Sequence, residues 1–391
     1  MTPSRITPEA LEEYRKKCGT WYANTPFYEE ANVDAFRHFA HGVGDGNPLW
    51  SDPAYAARTR WGGSIAPPHF LYTYRRGRYW TMGLPGVATL WAGDAWEWFQ
   101  PVRPGDRIVA KTRFLDMVKV KSEHAGEAYD QHSDIVYIKA SDKTLVARHD
   151  YLNKRFERER TKDAPRQKRF EDYKPHVYTK DEIAAISADY ARETRRGSEP
   201  RYWEDVQVGE LLTPVVKGPL TITDEIAFLM GAGEPLVHTG RLAWEYFQRH
   251  PGANVPDKDT GVPDIPARIH WEEKLARAFG APTMFDIGAQ RVCWMGHLMT
   301  NWVGDDGFLR KMSMQARGFN LLGDTFWVRG KVTSKAVQEG EHLADVEMWC
   351  ENQRGVVTAR GVATASLPSR TSGPVTLPAP PKAPEDALVG M

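Results

Sequence analysis

The sequence predicts an α+β protein made of one unit written twice, each unit a buried helix set against a meander of antiparallel strands. Three observations carry this. Runs such as DRIVAKTRFL, DIVYIKA, DTFWVRGKVT and GVVTARGVATASL alternate apolar and polar residues between turn signals, the period of half-buried strands. The segment from Ala289 to Val303 is apolar on most of its circumference, which reads as a helix wrapped by other structure. Landmarks also recur at a near-constant offset: 220 for Trp50 and His270, 218 for Gly105-Asp106 and Gly323-Asp324, and 212 for Ala147-Arg148 and Ala359-Arg360.

Composition narrows the functional classes. The 391 residues exceed one ordinary core, and 41% apolar with 26% charged residues is usual for a globular protein. Lys+Arg and Asp+Glu both number 51, so no net charge draws nucleic acid or an anionic membrane. Cys18, Cys293 and Cys350 are too few and too scattered for a disulfide framework or a metal knuckle, and Cys293 reads as a buried core thiol. No signal-peptide core and no membrane-length apolar run occurs, so a cytoplasmic protein is expected. The 14 Trp, 15 Tyr and 15 Phe residues, clustered at Trp91, Trp96, Trp98 and Phe99, imply wide apolar faces.

Taken in order, PEALEEYRKKC from Pro8 reads as a helix with acids early and bases late. Val33 to Val43 has helical spacing with Asn32 as N-cap, and Asp52-Pro53 starts a short helix that Gly62-Gly63 ends. HFLYTYRRGRYW, from His69, is a further helix candidate. Residues 87–153 form the first meander, turned at Pro104-Gly105-Asp106 and Ser141-Asp142. Residues 155–174 are charge-dense without apolar period, and a helix follows over 180–195. In the second unit Thr223 is the expected N-cap of a helix, residues 236–269 have no counterpart in the first, and Glu272 to Phe279 is a helix closed by Gly280. The expected division is a first domain over 1–154, a linker and helix over 155–200, a second domain over 201–367 with an insertion at 236–269, and a tail over 368–391. The tail is Pro-rich, and is expected to be disordered or draped on the surface.

One stretch carries most of the functional signal: GDGNPLWSDPAYAARTRWGGSIAPP, residues 44–68. Together with the duplicated helix and meander, it resembles the MaoC-like family of (R)-specific enoyl-CoA hydratases and acyl dehydratases, in its fused double hot-dog form. Gly44, Asp45, Asn47, Pro48, Leu49 and Asp52 match the family's Gly-Asp-x-Asn-Pro-Leu-His-x-Asp in order. The resemblance covers residues 30–365. It implies a double hot-dog fold, two antiparallel sheets each wrapping a central helix. It also implies a hydro-lyase acting on a 2-enoyl-CoA or 3-hydroxyacyl-CoA thioester, with no cofactor beyond the coenzyme A of the substrate. The implied assembly is a homodimer or higher oligomer, with neither nucleic acid nor membrane as partner.

The departures from the family pattern fall on the catalytic pair, its motif Asp and the His five residues later. Trp50 stands where the first unit would carry that His. His270 takes the His position in the second unit, because it precedes Gly288 by 18 residues, as Trp50 precedes Pro68. Aligning Pro48 with Pro235 puts Ala232 at the place of Asp45 and Glu234 at the place of Asn47.

Hydration of a conjugated thioester needs a base for water, an acid for the α-carbon and donors for the enolate oxygen. His270 is the expected acid/base, since imidazole titrates near neutrality. Gly288 is the expected oxyanion and thioester-binding position, at a helix start whose N–H groups are free. Asp286, just before it, is a candidate to orient His270, activate water or cap the helix. Glu234 is a candidate replacement for the missing Asp. Asp45, Asn47 and His238 are secondary candidates; Asp45 and Asn47 also read as a turn closing onto the Asp52 helix. The expected geometry is an imidazole facing the Gly288 amide across a thioester-sized gap. No metal-ligand spacing is present. Two rival readings are a non-catalytic acyl-CoA-binding subunit of a larger dehydratase, and a thioesterase or other lyase on the same scaffold. The aromatic excess and the insertion favour a bulky acyl group.

Overall fold

The computed structural model describes residues 5–74, 84, 87–122, 125–157, 173–233 and 237–391. Helix α1 (Pro8–Arg15), strand β1 (Trp21–Ala23) and helix α2 (Val33–Val43) open the chain. Asn32 caps α2 through its side chain, and Gly44 closes it in the left-handed region. Short helices α3 (Pro48–Ser51) and α4 (Pro53–Ala56) follow, then the meander β2 (Ala88–Trp98), β3 (Ile108–Ser122), β4 (Gly126–Lys139) and β5 (Leu145–Phe156). After α5 (Lys180–Arg192), the second half repeats the plan. It comprises β6 (Val215–Lys217), α6 (Ile222–Ala232), α7 (Gly240–Arg249), α8 (Glu273–Phe279), α9 (Gly288–Val303), β7 (Phe308–Ala316), β8 (Phe326–Gln338), β9 (Glu341–Asn352) and β10 (Val357–Ser366).

The strands form a single antiparallel sheet in the order β1-β3-β4-β5-β2-β7-β10-β9-β8-β6. Read outward from its centre, each half has the same sequence of roles. The double hot-dog expectation thus holds with one change. The two expected sheets are joined edge to edge where β2 pairs with β7, from Gly93 opposite Gln315 to Glu97 opposite Lys311. That pairing satisfies two edges that would otherwise be open. Helices α2 and α6 pack closely on each other. A Cβ on Gly42 would lie 2.8 Å from the Ala227 carbonyl oxygen, and one on Gly231 would lie 2.6 Å from that of His38. Only glycine permits that approach.

The central helix of the second half, α9, is buried from Ala289 to Val303. In the first half, residues 68–74 form a 3-10 turn in place of the expected α-helix; residues 75–80 lie outside the described residues. The Trp98 indole N–H donates to the Pro68 carbonyl at 2.9 Å, tying this turn to β2. Helix α6 starts two residues earlier than expected. Thr221, not Thr223, is the N-cap, its side chain accepting the Asp224 N–H while the Asp224 carboxylate accepts the Thr221 N–H in a capping box.

The tail is draped, not disordered. The Leu145 N–H donates to the Pro381 carbonyl at 2.8 Å, and the Ala383 N–H to that of Lys143 at 3.0 Å. Ala383 and Ala387 complete a small cluster with Phe99, Val136, Ile138 and Leu145. Deleting residues 379–391 is expected to cost roughly 2 kcal/mol from the lost burial and hydrogen bonds, a few degrees of melting temperature by calorimetry.

Candidate active site

In the first half the motif holds itself together. Gly44 ends α2, and Asp45 Oδ1 accepts the Asn47 N–H at 3.0 Å. Asn47 in turn accepts the Leu49 N–H at 3.0 Å, the Asx turn expected from sequence. The Trp50 indole N–H donates to Asp45 Oδ2 at 2.9 Å, from the position where the family pattern has an imidazole. An indole N–H is a donor only and cannot take a proton from water. The counterpart of Gly288 is Pro68, which has no N–H to offer an enolate. The first motif therefore has neither a base at position 50 nor a helix-start amide at 68.

The second half ends α6 as the first ends α2, with Gly233 in the left-handed region. In that register Glu234 follows Gly233 as Asp45 follows Gly44, so it takes the Asp position rather than the Asn one. Glu234 itself lies outside the described residues. His238 belongs to the insertion, where its ring packs on Tyr246 with centroids 5.2 Å apart.

His270 ends a 3-10 turn, Pro266–His270, and is partly buried. Its Nδ1 lies 2.8 Å from the Phe285 carbonyl oxygen. A carbonyl only accepts, so Nδ1 carries the proton and Nε2 keeps its lone pair. Burial pushes the imidazole below its ordinary pKa, which favours the neutral ring. Three residues after Phe285 the chain enters α9 at Gly288. Ile287 supplies no side-chain cap there, and the Gln290 N–H turns back onto the Ile287 carbonyl at 2.8 Å.

Two carboxyls flank that helix start, with different fates. Asp286 is buried and grips Arg291 through both oxygens, at 2.6 and 3.0 Å, while Asn320 donates to it at 3.1 Å. Those bonds occupy it in fixing α9. Glu225, on α6, was not anticipated. From sequence it reads as a first-turn acid favourable to the helix dipole, yet it is fully buried. It accepts the Ile287 N–H at 3.2 Å, and the Gln290 side-chain amide lies 3.1 Å from both of its oxygens. Burial, with Asp286 beside it, holds its pKa well above the usual carboxylate range.

That shift sets a pH dependence. Native Glu225 keeps its proton where the unfolded chain has lost it, so its stabilisation is full below pH 4.5 and declines as pH rises toward the folded pKa. Glu225→Gln keeps a neutral acceptor for Ile287. Its stability relative to wild type is expected to improve between pH 5 and 8 in urea titrations, and an unchanged difference would contradict the buried-acid assignment.

The first half supplies the wall of this site. A Cβ on Gly288 would lie 2.3 Å from Trp91 Cε3, so the indole lies against the glycine. Part of the gap expected beside Gly288 is therefore taken by Trp91, and the missing side chain is needed first for this packing. The covered side is the Cα–Cβ direction, outward from the helix; the first-turn N–H groups point along the axis. Trp91 is anchored in turn, its indole N–H donating to Asp94 at 3.1 Å. Asp94 also accepts from the Tyr72 hydroxyl and lies 3.0 Å from His149 Nε2, whose ring stacks on Trp96 at 3.8 Å. This buried polar set was not read from sequence, since its members sit on three separate elements.

Among the described residues, no cluster of three or more His, Cys, Asp or Glu could hold a metal, and no helix is long and apolar enough to cross a membrane.

Comparison with known proteins agrees with this architecture. Residues 16–140 match the family described as the FAS1-like dehydratase domain region. A UPF0336 protein of Streptomyces avermitilis is 28% identical over 129 residues, 30% of this chain and 85% of that protein. A MaoC-like dehydratase structure superposes with a TM-score of 0.63 at 16% identity, over 90% of this chain and 99% of that one. A MaoC domain dehydratase from Chloroflexus aurantiacus gives 0.55 at 14% identity, over 90% and 96%. A double-hotdog protein from Mycobacterium tuberculosis gives 0.54 at 10% identity, over 92% and 99%. The first half thus resembles a FAS1-like dehydratase region, and nearly the whole length has the fold of these double hot-dog structures.

Proposed function

We propose that the chain is a hydro-lyase that adds water to a 2-enoyl-CoA thioester, or removes it from the 3-hydroxyacyl-CoA, at one site in its second half. The observation that carries the reading is His270: a neutral imidazole, its Nδ1 proton fixed by the Phe285 carbonyl, beside the start of α9. In the hydration direction Nε2 takes a proton from water as the water oxygen bonds to the β-carbon. The π electrons shift to the thioester oxygen, which the Gly288 N–H receives. The imidazolium then returns its proton to the α-carbon as the thioester carbonyl re-forms, and atoms and charge balance without a cofactor.

Other groups position the reacting ones. Asp286 with Arg291, and Glu225 with the Ile287 N–H, hold the helix start in place. Trp91 forms a flat wall for the acyl group. Glu234, by its register after Gly233, is assigned the orientation of the water. Asp45 and Asn47 are left to the turn they build.

The test is to offer the purified full-length chain a panel of 2-enoyl-CoA thioesters, including branched and ring-bearing ones. Ultraviolet absorbance of the conjugated thioester should fall without release of free thiol. Thiol release would assign a thioesterase. Binding without either change would assign a non-catalytic acyl-CoA-binding subunit, the reading favoured by Trp50 in the first motif and by the cover Trp91 gives Gly288.

A further inference from the structure

Strand β2 does not alternate throughout. It pairs with β5 from Trp98 opposite Ala147 back to Gly93 opposite Leu152, and again from Trp91 opposite Asn153 back to Ala88 opposite Phe156. Ala92, between the two stretches, has no partner on β5. This is a β-bulge: one extra residue, which turns the side chains before it to the faces opposite those that strict alternation would give them.

The change of face decides where Trp91 points. Asp94 and Trp96 are buried opposite Tyr151 and His149, on the face that carries α9. Strict alternation would place Leu90 and Ala92 with them and send Trp91 outward with the exposed Ala95. With the bulge, Trp91 comes in opposite the buried Asn153, and Leu90 goes to the other face to join Ala88 and Phe156. The pairing of β2 with β7 ends at Gly93, so Trp91 lies just past the seam of the two halves. There its ring meets the start of α9, with Cε3 2.3 Å from where a Cβ on Gly288 would sit.

The ring is also held from behind. Its N–H donates to Asp94 at 3.1 Å, and Asp94, Tyr72 and His149 are buried and bonded to one another. Trp91 itself is only half-buried. A partly exposed indole tied to a buried polar set is a fixed wall, not a loosely placed surface side chain. In the proposed pose the thioester carbonyl sits at the Gly288 N–H, and the α-carbon is one bond away from it. A carbon substituent on the α-carbon comes within reach of the indole, whereas groups from the γ-carbon outward lie along its face.

We propose that Trp91, turned inward by the bulge at Ala92, is a specificity-determining residue that excludes 2-enoyl thioesters carrying a substituent on the α-carbon. The inference rests on the hydratase reading for the place of the thioester. One methyl group too many in a fitted pocket lowers kcat/KM by roughly 10–200-fold.

The test offers 2-butenoyl-CoA and 2-methyl-2-butenoyl-CoA to the full chain as wild type, Trp91→Ala and Trp91→Leu, and reads kcat/KM from the loss of ultraviolet absorbance. The methyl group also changes intrinsic reactivity, but that difference is common to all three enzymes and cancels when their ratios are compared. Lower stability reduces both rates together and leaves the ratio alone. The preference for the unbranched thioester is expected to shrink by about tenfold or more in Trp91→Ala, and by less in Trp91→Leu. Should Trp91→Ala fail to fold, Trp91→Leu decides by the same ratio. A ratio unchanged in the folded variants, or a wild type that turns over both thioesters equally, would overturn the proposal. A wild type that hydrates neither thioester sinks the hydratase reading by itself. The same ratio is then taken from calorimetric affinities for butanoyl-CoA and 2-methylbutanoyl-CoA, where equal affinities, a ratio the variants leave unchanged or no binding overturns the role of Trp91.

Discussion

His270→Ala should lower turnover of the best 2-enoyl-CoA by about a thousandfold, the scale of losing a positioned acid/base group, while KM changes little. The imidazole acts on the reacting atoms and contributes little to holding coenzyme A, so the loss belongs in kcat. The same assignment fixes a pH profile. The base must be neutral to take a proton from water, and burial places its pKa below the ordinary histidine value of 6.5. Activity should therefore persist below pH 6.5 and fall only in more acidic solution. Steady-state kinetics on wild type and His270→Gln, which keeps the polarity but has no basic nitrogen, separate catalysis from shape. A His270→Ala enzyme with wild-type kcat would remove the residue from the chemistry.

Arg291→Met should be the most destabilising single change in the site. The guanidinium is buried against both Asp286 oxygens and also donates to the Gly318 and Thr358 carbonyls, at 2.8 and 3.0 Å. Removing it leaves a buried carboxylate paired only with Asn320 and two carbonyls without that donor. Breaking a buried pair from one side costs about 3–5 kcal/mol, readable as a shifted urea midpoint at unchanged slope. Adding Asp286→Asn to Arg291→Met removes the stranded charge and should recover part of that loss. Full additivity of the two changes would show that they do not act as a pair.

Much of the scaffold was legible because it rests on local rules. Strand alternation, the Asn32 cap, the Gly280 closure and the circumferentially apolar α9 each follow from a few consecutive residues. The duplication was legible because its landmarks kept their spacing. What was not legible depends on partners distant in sequence. The edge-to-edge junction of β2 with β7 joins residues more than 200 positions apart. The indole that ties the turn at Pro68 to β2 lies thirty residues on.

The site divides the same way. His270 and Gly288 are candidates by their spacing. Glu225 was passed over because an acid in a first helical turn has an ordinary explanation, and only burial marks it as unusual. Trp91 and Asp94 could not be linked to Gly288 from sequence, since they reach it across the junction of the two halves. The Asp45 register misled in one respect. Proline aligns the two motifs one way, and the left-handed glycines that end α2 and α6 align them another. The glycines are the physical marker, because each is where a helix stops.

The central claim is that a thioester is bound between His270 and the start of α9. A crystal structure of the full chain with a slowly turned-over 3-hydroxyacyl-CoA tests it most directly. The account predicts the thioester oxygen within hydrogen-bond distance of the Gly288 N–H, the 3-hydroxyl facing His270 Nε2, and the acyl group along Trp91. A thioester lodged elsewhere, with Trp91 still closing the approach to Gly288 and His270 turned from the ligand, would contradict it.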